Sequence, residues 1–288
     1  MSLILQQNLI RIMKRIVLAL ALISNIAWAQ TKSCCQMTIT EQNNTLAMND
    51  NFAQTHLVPA PYENLRHMGE MITFNTEGEK ANAYLVKGGK SSRRVLIIFH
   101  EWWGLNDYIK QEADEYAKDL ENVDVYAIDL YDGKVATDVP TAQKFMGGLQ
   151  QERAASIIKG LIVSVGPEKS IVTLGWCLGG AWSLQASLIA ESQSAGCVMY
   201  YGMPESKIER LKTLNSDVLG IFATEDQFIN QEVVKTFQVN MQKAGKKLTV
   251  YNYKADHAFA NPSNPKYNKE FTFEARAKSL EFIKLKLK

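Results

Sequence analysis

The chain has 288 residues, of which 46 % are apolar and 22 % charged, the balance of an ordinary globular protein with a core of useful size. Formal net charge is +2, but Arg11, Lys14 and Arg15 lie in a leader without an acidic residue; taking these three from the 32 basic residues leaves 29 against 30 acidic. That balance argues against nucleic acid as a partner, since phosphate binding needs a concentrated basic face, and four cysteines in this length are too few for a disulfide scaffold.

Residues 1–29 read as a signal peptide. Lys14 and Arg15 make a positive region, Ile16 to Ile23 is mostly apolar, and Ala27-Trp28-Ala29 is a small-x-small site for cleavage before Gln30. Met13 competes with Met1 as the translation start, because the first twelve residues add nothing to such a signal. The apolar run is shorter than the roughly 20 residues of a spanning helix. The expectation is an exported, periplasmic or extracellular protein with no stable membrane insertion after processing. Cys34 and Cys35 follow in polar sequence, open to oxidation with each other or with another chain, while Lys32 argues against lipid attachment at Cys34. Residues 30–69 are polar and rich in Asn and Gln, with Pro59 and Pro61, and read as an N-terminal arm or tail on the surface.

From 70 to 288 the pattern is that of one domain. Val-, Ile- and Tyr-rich runs bounded by Gly, Asp or Asn predict strands at Ala81–Val86, Val95–His100, Val123–Asp129, Ile171–Gly175, Gly196–Tyr201, Val218–Ala223 and Leu248–Tyr253. Helical stretches are predicted between them at Tyr108–Leu120, Thr141–Val165, Leu178–Glu191, Glu205–Thr213, Glu232–Ala244 and Tyr267–Leu285. Several strands are apolar throughout, as when helices cover both faces of a sheet. The alternation predicts the α/β class, with a doubly wound, mainly parallel sheet. Functional groups then belong at the carboxyl ends of the strands.

Gly175-Trp176-Cys177-Leu178-Gly179-Gly180 follows such a strand and opens a helix. This is the nucleophile-elbow pattern of the α/β-hydrolase fold, with cysteine in place of serine. The helix N-terminus aimed at the thiol favours thiolate, and the Leu178 N–H is placed to hold an oxyanion. Downstream, one strand ends in Thr224-Glu225-Asp226 and the next is followed by Asp256-His257. Nucleophile, acid and base in this chain order is the α/β-hydrolase order. Glu225 and Asp256 compete for the acid position, and spacing favours Asp226. Cys197, in an apolar strand, reads as an inert core residue.

Together these residues resemble the dienelactone hydrolase family over roughly Glu70 to Lys288. The resemblance is carried by His100-Glu101-Trp102-Trp103-Gly104, Asp129-Leu130-Tyr131, the elbow, Asp226, and Asp256-His257-Ala258-Phe259. It implies a Cys-His-Asp triad of Cys177, His257 and Asp226, and an oxyanion hole from the main-chain N–H groups of Leu178 and Trp102. It also implies that Glu101 approaches the resting thiol and helps to switch it on when substrate binds. On its own chemistry, a Glu101 carboxylate between two indoles should be partly desolvated, with a raised pKa. Trp103, Trp176 and Phe259, with Trp102, are expected around an apolar substrate pocket. No metal site is expected, since Gly104 stands where an H-E-x-x-H motif needs histidine, and no cofactor.

The chain departs from the family pattern at Asn261, where dienelactone-cleaving members carry an arginine four residues after the histidine. A second family arginine falls in the 131–153 stretch, where Lys134, Lys144 and Arg153 are candidates. Without a guanidinium fork, carboxylate recognition weakens. The expected activity is hydrolysis of a small ester or lactone through a thioester. The competing reading is a non-catalytic or weakly catalytic small-molecule-binding protein on the same scaffold. A redox role for Cys177 lacks a resolving cysteine nearby in sequence.

Overall fold

The apolar runs assemble into one eight-stranded sheet of order β1-β2-β4-β3-β5-β6-β7-β8. The strands are β1 Glu70–Phe74, β2 Ala81–Val86, β3 Arg94–Phe99, β4 Val123–Ile128, β5 Ser170–Trp176, β6 Ser194–Tyr200, β7 Asp217–Ala223 and β8 Leu248–Tyr253. The computed structural model describes residues 37–60, 62, 66–89 and 92–288. The expected leader, Cys34 and Cys35 lie outside the described residues. β1, β2 and β4 pair antiparallel, and all other neighbours pair parallel. β4 is buried along its whole length, and in β3, β5 and β7 only the first residue is partly exposed. The edge strands β1 and β8 are largely open. The expected α/β-hydrolase architecture is the one observed.

The helices are α1 Ile39–Ala47, α2 Asp50–Gln54, α3 Asp107–Asp119, α4 Val139–Gly148, α5 Gln151–Val165, α6 Leu178–Ile189, α7 Ile208–Leu211, α8 Gln231–Lys243 and α9 Lys269–Lys286. α6 packs on β3, β5 and β6, and all but its last residue are buried. The chain order reverses about β3, which lies between β4 and β5. Loops leaving β3 and β5 therefore diverge to opposite sides and open a crevice at their carboxyl ends. Phe99 pairs with Gly175, which brings the turn after β3 against the elbow.

The single helix predicted over 141–165 is two, broken at Leu149 and Gln150, both extended. Gly147 and Gly148 precede the break and lower helix propensity there. The helix predicted over 205–213 shrinks to α7, because Glu205 is used as an anchor: it accepts from the Lys207 N–H at 2.9 Å and from Gln185 Nε2 at 3.2 Å. β1 was not predicted; a short edge strand with one open face has no continuous apolar run. The arm contains two helices that were also not predicted. Thr38 caps α1 in a capping box with Glu41, and Asn49 caps α2.

Candidate active site

β5 ends at Trp176 and α6 begins at Leu178, so Cys177 alone makes the turn between them. Its φ of 52° and ψ of −117° lie outside the favoured regions, a strain on the order of 1–3 kcal/mol that the surroundings must hold. A Cβ on Gly175 would sit 2.1 Å from the Gly179 carbonyl oxygen, and one on Gly179 would sit 2.2 Å from that of Phe99. Both glycines of the motif are therefore steric requirements of the elbow. The Cys177 N–H donates to the Tyr200 carbonyl at 3.0 Å, which ties the turn to the next strand.

Ala223 and Tyr253 are register partners at the ends of β7 and β8, so the loops that follow run side by side. Asp226 Oδ1 accepts from the N–H groups of Phe228 at 2.8 Å and Ile229 at 2.9 Å. Its Oδ2 accepts from His257 Nδ1 at 2.6 Å, and His257 Nε2 lies 3.3 Å from Cys177 Sγ. Asp226, His257 and Cys177 thus form one continuous hydrogen-bonded line. Neither competing carboxylate joins it: Glu225 is exposed, and Asp256 pairs with Lys266 at 2.5 Å. Ala258, just after the histidine, is held at φ 58°, a second strained backbone position at the same place.

Burial governs the electrostatics. It pushes the Cys177 thiol up, against the pull of His257 and the Leu178 N–H, so the expected bias of the helix N-terminus toward thiolate is outweighed at rest. Burial alone would lower His257, but the Asp226 carboxylate and the cysteine sulfur raise it well above the ordinary value. Burial likewise works against the Asp226 charge, yet the adjacent imidazole and two backbone donors hold the carboxyl below its usual range. A strong base is thereby set beside a reluctant acid.

Glu101 sits in the turn after β3. His100 shapes that turn: its Nδ1 donates to the Glu101 carbonyl at 2.6 Å, and its Nε2 accepts from the Leu130 N–H at 3.1 Å. Burial raises the Glu101 carboxyl to about 7, opposed by His257 and by hydrogen bonds from Asn261 and Tyr201. Tyr201 reaches it at 3.5 Å, and Asn261 Nδ2 donates to the other oxygen. A cavity of about 230 Å³ opens beside these groups, lined among others by Glu101, Trp103, Trp176, Tyr201 and Asn261. Phe259 is not among the lining residues. It is fully buried and packs on Tyr253 at 5.3 Å and Tyr201 at 5.7 Å, so its expected place in the pocket is corrected to the core. Trp102 is also fully buried. Its indole faces the arm rather than the cavity.

The arm supplies the residues that sequence reasoning missed. Phe52 of α2 is fully buried, with its ring edge-on to Trp102 at 5.7 Å and to His257 at 5.4 Å. His56, just past α2, lies 4.4 Å from the Trp102 ring and 5.4 Å from the His257 ring. Cys177 is left only 5 % exposed. A second cavity of about 200 Å³ is lined by Asn51, Thr55, Phe228 and His257 among others. Cys177 lines neither cavity. The capping box at Thr38–Glu41 was the available signal that this segment is folded; nothing local announced where it would pack.

The family model described as "Dienelactone hydrolase family" matches residues 81–287. The chain is 28 % identical to "Protein usf" of Aquifex pyrophilus over 207 residues, covering 67 % of this chain and 88 % of that protein. It is 23 % identical over 236 residues to "Carboxymethylenebutenolidase 1" of Cupriavidus pinatubonensis, covering 75 % and 95 %. Among solved structures, a dienelactone hydrolase-like promiscuous phosphotriesterase from metagenomic libraries superposes with a TM-score of 0.66 at 16 % identity, covering 76 % of this chain and 98 % of that one. With the family model matched over well more than half its length, the chain belongs to the dienelactone hydrolase family, and so to the hydrolases that act on ester or lactone bonds.

Proposed function

We propose that this protein hydrolyses a small ester or lactone with Cys177 as nucleophile, His257 as general base and then acid, and Asp226 as the group that orients and charges the imidazole. The observation that carries the reading is the unbroken line from Asp226 Oδ2 through the imidazole to Cys177 Sγ, with steps of 2.6 and 3.3 Å, at a strained strand-to-helix turn. In the first half-reaction the thiol proton passes to His257 Nε2 as sulfur bonds to the substrate carbonyl carbon. The carbonyl oxygen becomes an oxyanion, held by the N–H groups of Leu178 and Trp102. Collapse breaks the carbon–oxygen bond, and the leaving alkoxide takes the proton from Nε2, leaving a thioester. Water then adds with His257 as base, the carbon–sulfur bond breaks, and the acid departs as the thiol regains a proton. Because burial keeps the resting thiol protonated, substrate binding has to complete its activation, a step in which we assign Glu101 a part.

The cavity favours neutral substrates. Asn261, in the arginine position of the family pattern, is engaged with Glu101 and accepts from the Ser263 hydroxyl at 2.7 Å. Arg153 is committed elsewhere, paired with Asp132 at 2.6 Å and with Thr76 at 3.0 Å. Arg276 lines the cavity; its Nη1 pairs with Asp119 at 2.6 Å and its guanidinium lies over the Tyr116 ring at 4.6 Å, while Nη2 has no hydrogen-bond partner. Glu101 and Glu112 line the same space, and burial favours the neutral form of both, so this part of the wall suits an uncharged substrate. We also read the protein as exported after cleavage before Gln30. No helix among the described residues is long and apolar enough to cross a membrane.

The test is a panel of small lactones and aryl esters, with Cys177→Ala as the blank and mass spectrometry for an acyl group on Cys177. Turnover that disappears in the blank, with a thioester trapped in the parent, is the expected result. Turnover that persists in Cys177→Ala would overturn the mechanism. N-terminal sequencing of the exported protein checks the leader, and a mature chain retaining 14–29 would refute that reading.

A further inference from the structure

His56 has no task in the hydrolytic scheme, yet its ring is 4 % exposed and its tautomer is set. Nδ1 lies 2.8 Å from the Phe52 carbonyl oxygen; a carbonyl only accepts, so Nδ1 carries the proton and Nε2 the lone pair. That Nε2 is buried with no hydrogen-bond partner, a loss of about 1–3 kcal/mol when left unmet. His257 is arranged in the same way. Its Nδ1 donates to Asp226, and its Nε2 is the nitrogen that faces Cys177. One ligand atom each from His56, Cys177 and His257 fall within 4.8 Å of one another.

Two imidazoles and a thiolate form a donor set suited to Zn²⁺, whose bonds of about 2.0–2.1 Å to nitrogen and 2.3 Å to sulfur place tetrahedral ligand atoms roughly 3.3–3.6 Å apart. The Cys177–His257 separation of 3.3 Å is close to this, and His56, within 4.8 Å of both, needs to close by at most about 1.5 Å. The outer groups fit too. Metal-bound histidines characteristically donate their second N–H to a carboxylate or a backbone carbonyl, which are the partners of His257 and His56. We infer that His56, Cys177 and His257 form a site for Zn²⁺ or another thiophilic divalent cation, supplied in part by the arm, whose occupation holds the hydrolase off. Binding removes the thiol proton to the buffer and ties up both the nucleophile and the base; a chelator restores them. The site shares two residues with the proposed hydrolytic machinery but needs only their lone pairs, so it stands whether or not Cys177 is the nucleophile.

The experiment uses the full chain carrying Cys34→Ser and Cys35→Ser, so that those thiols cannot bind metal, stripped with chelator and titrated with Zn²⁺ and with Co²⁺. One equivalent per chain is expected. Co²⁺ should show a thiolate charge-transfer band and intense tetrahedral absorption, both lost in Cys177→Ser. Stoichiometric Zn²⁺ should block iodoacetamide labelling of Cys177, and EDTA should restore it. His56→Ala and the bulkier His56→Gln should each weaken Zn²⁺ affinity at least tenfold while retaining the parent's circular dichroism. The inference is overturned if no metal binds, or if Co²⁺ absorbs without a thiolate band. It is also overturned if both well-folded His56 variants bind Zn²⁺ as tightly as the parent, which would leave His56 with a bridging water. Ester hydrolysis through Cys177 without metal binding sinks this inference alone; metal bound at Cys177 without any hydrolysis sinks only the proposed function.

Discussion

Cys177 stands between two walls of different origin. One is the sheet, where the elbow, Asp226 and His257 project from the ends of β5, β7 and β8, strands tied into a continuous ladder. The other is the arm, where α2 and the residues after it bring Phe52 and His56 against the His257 ring. The sheet wall lies inside the family-matched segment 81–287, and the arm lies outside it. The arm is held by burial of Ile39, Ala47, Phe52 and Ala53 in the main core and by scattered bonds. Gln143 Nε2 donates to the Ala47 carbonyl at 2.9 Å, Thr40 Oγ1 to Gln151 at 3.1 Å, and Tyr108 OH to the Ala60 carbonyl at 3.0 Å. On the proposed mechanism the contrast sets the reacting groups on strand ends, which hold them in register, and the arm over them as a separately packed element whose independence is open to test.

Substitutions in the sheet wall should have the largest effect. Cys177→Ala is expected to lower kcat/KM for any ester substrate by about 10⁴-fold or more, and Asp226→Asn by about 10³–10⁴-fold with little change in KM. Steady-state kinetics decide this; an Asp226→Asn enzyme within tenfold of the parent would remove the carboxylate from the mechanism.

In the arm, Phe52→Ala deletes a fully buried ring. Urea unfolding should show a loss of about 3–5 kcal/mol if the arm unfolds with the domain. A loss below about 1 kcal/mol, with faster alkylation of Cys177, would instead show an arm that lifts independently. Unchanged stability together with unchanged alkylation would contradict the contrast between the walls.

Glu101 lies at the seam. Its folded-state pKa is raised from 4.5 to about 7 by burial, so its neutral form is the one the fold favours. Its contribution to stability is then complete below about pH 4.5 and is lost as pH rises through about 7. Glu101→Gln should remove up to about 3 kcal/mol of this dependence, read as a flatter plot of urea midpoint against pH between 4.5 and 8. A parent and a variant with parallel plots would refute the buried-carboxyl argument.

The smallest effect concerns substrate charge. Asn261→Arg should raise kcat/KM for a carboxylate-bearing lactone about tenfold relative to its methyl ester, because a guanidinium there is partly consumed by Glu101. A parent enzyme that already prefers the anionic substrate strongly would show that another cation makes the contact.

Much of the sheet wall could be read from the chain alone. β2 and β8 fall on the predicted residues, and the other predicted strands end within a residue or two of the observed ones. A buried parallel strand announces itself as an uninterrupted apolar run. Gly175, Gly179, Asp226 and His257 were legible because the elbow is a local steric problem and each partner follows its strand by a few residues. The arm was only half legible, since the capping box of α1 is a local signal and its docking place is not.

The sequence by itself determined the alternation of seven strands with helices from Ala81 onward, the elbow and the succession of thiol, carboxylate and imidazole, all of which follow from short-range periodicity and turn sterics. Tertiary structure alone decided that Phe259 belongs to the core, that Asn261 is spent on Glu101 rather than on solvent or substrate, and that Phe52 and His56 pack on the His257 ring. It also decided the balance of charge, because burial comes from residues distant in sequence and outweighs the helix terminus that local reasoning had set beside Cys177.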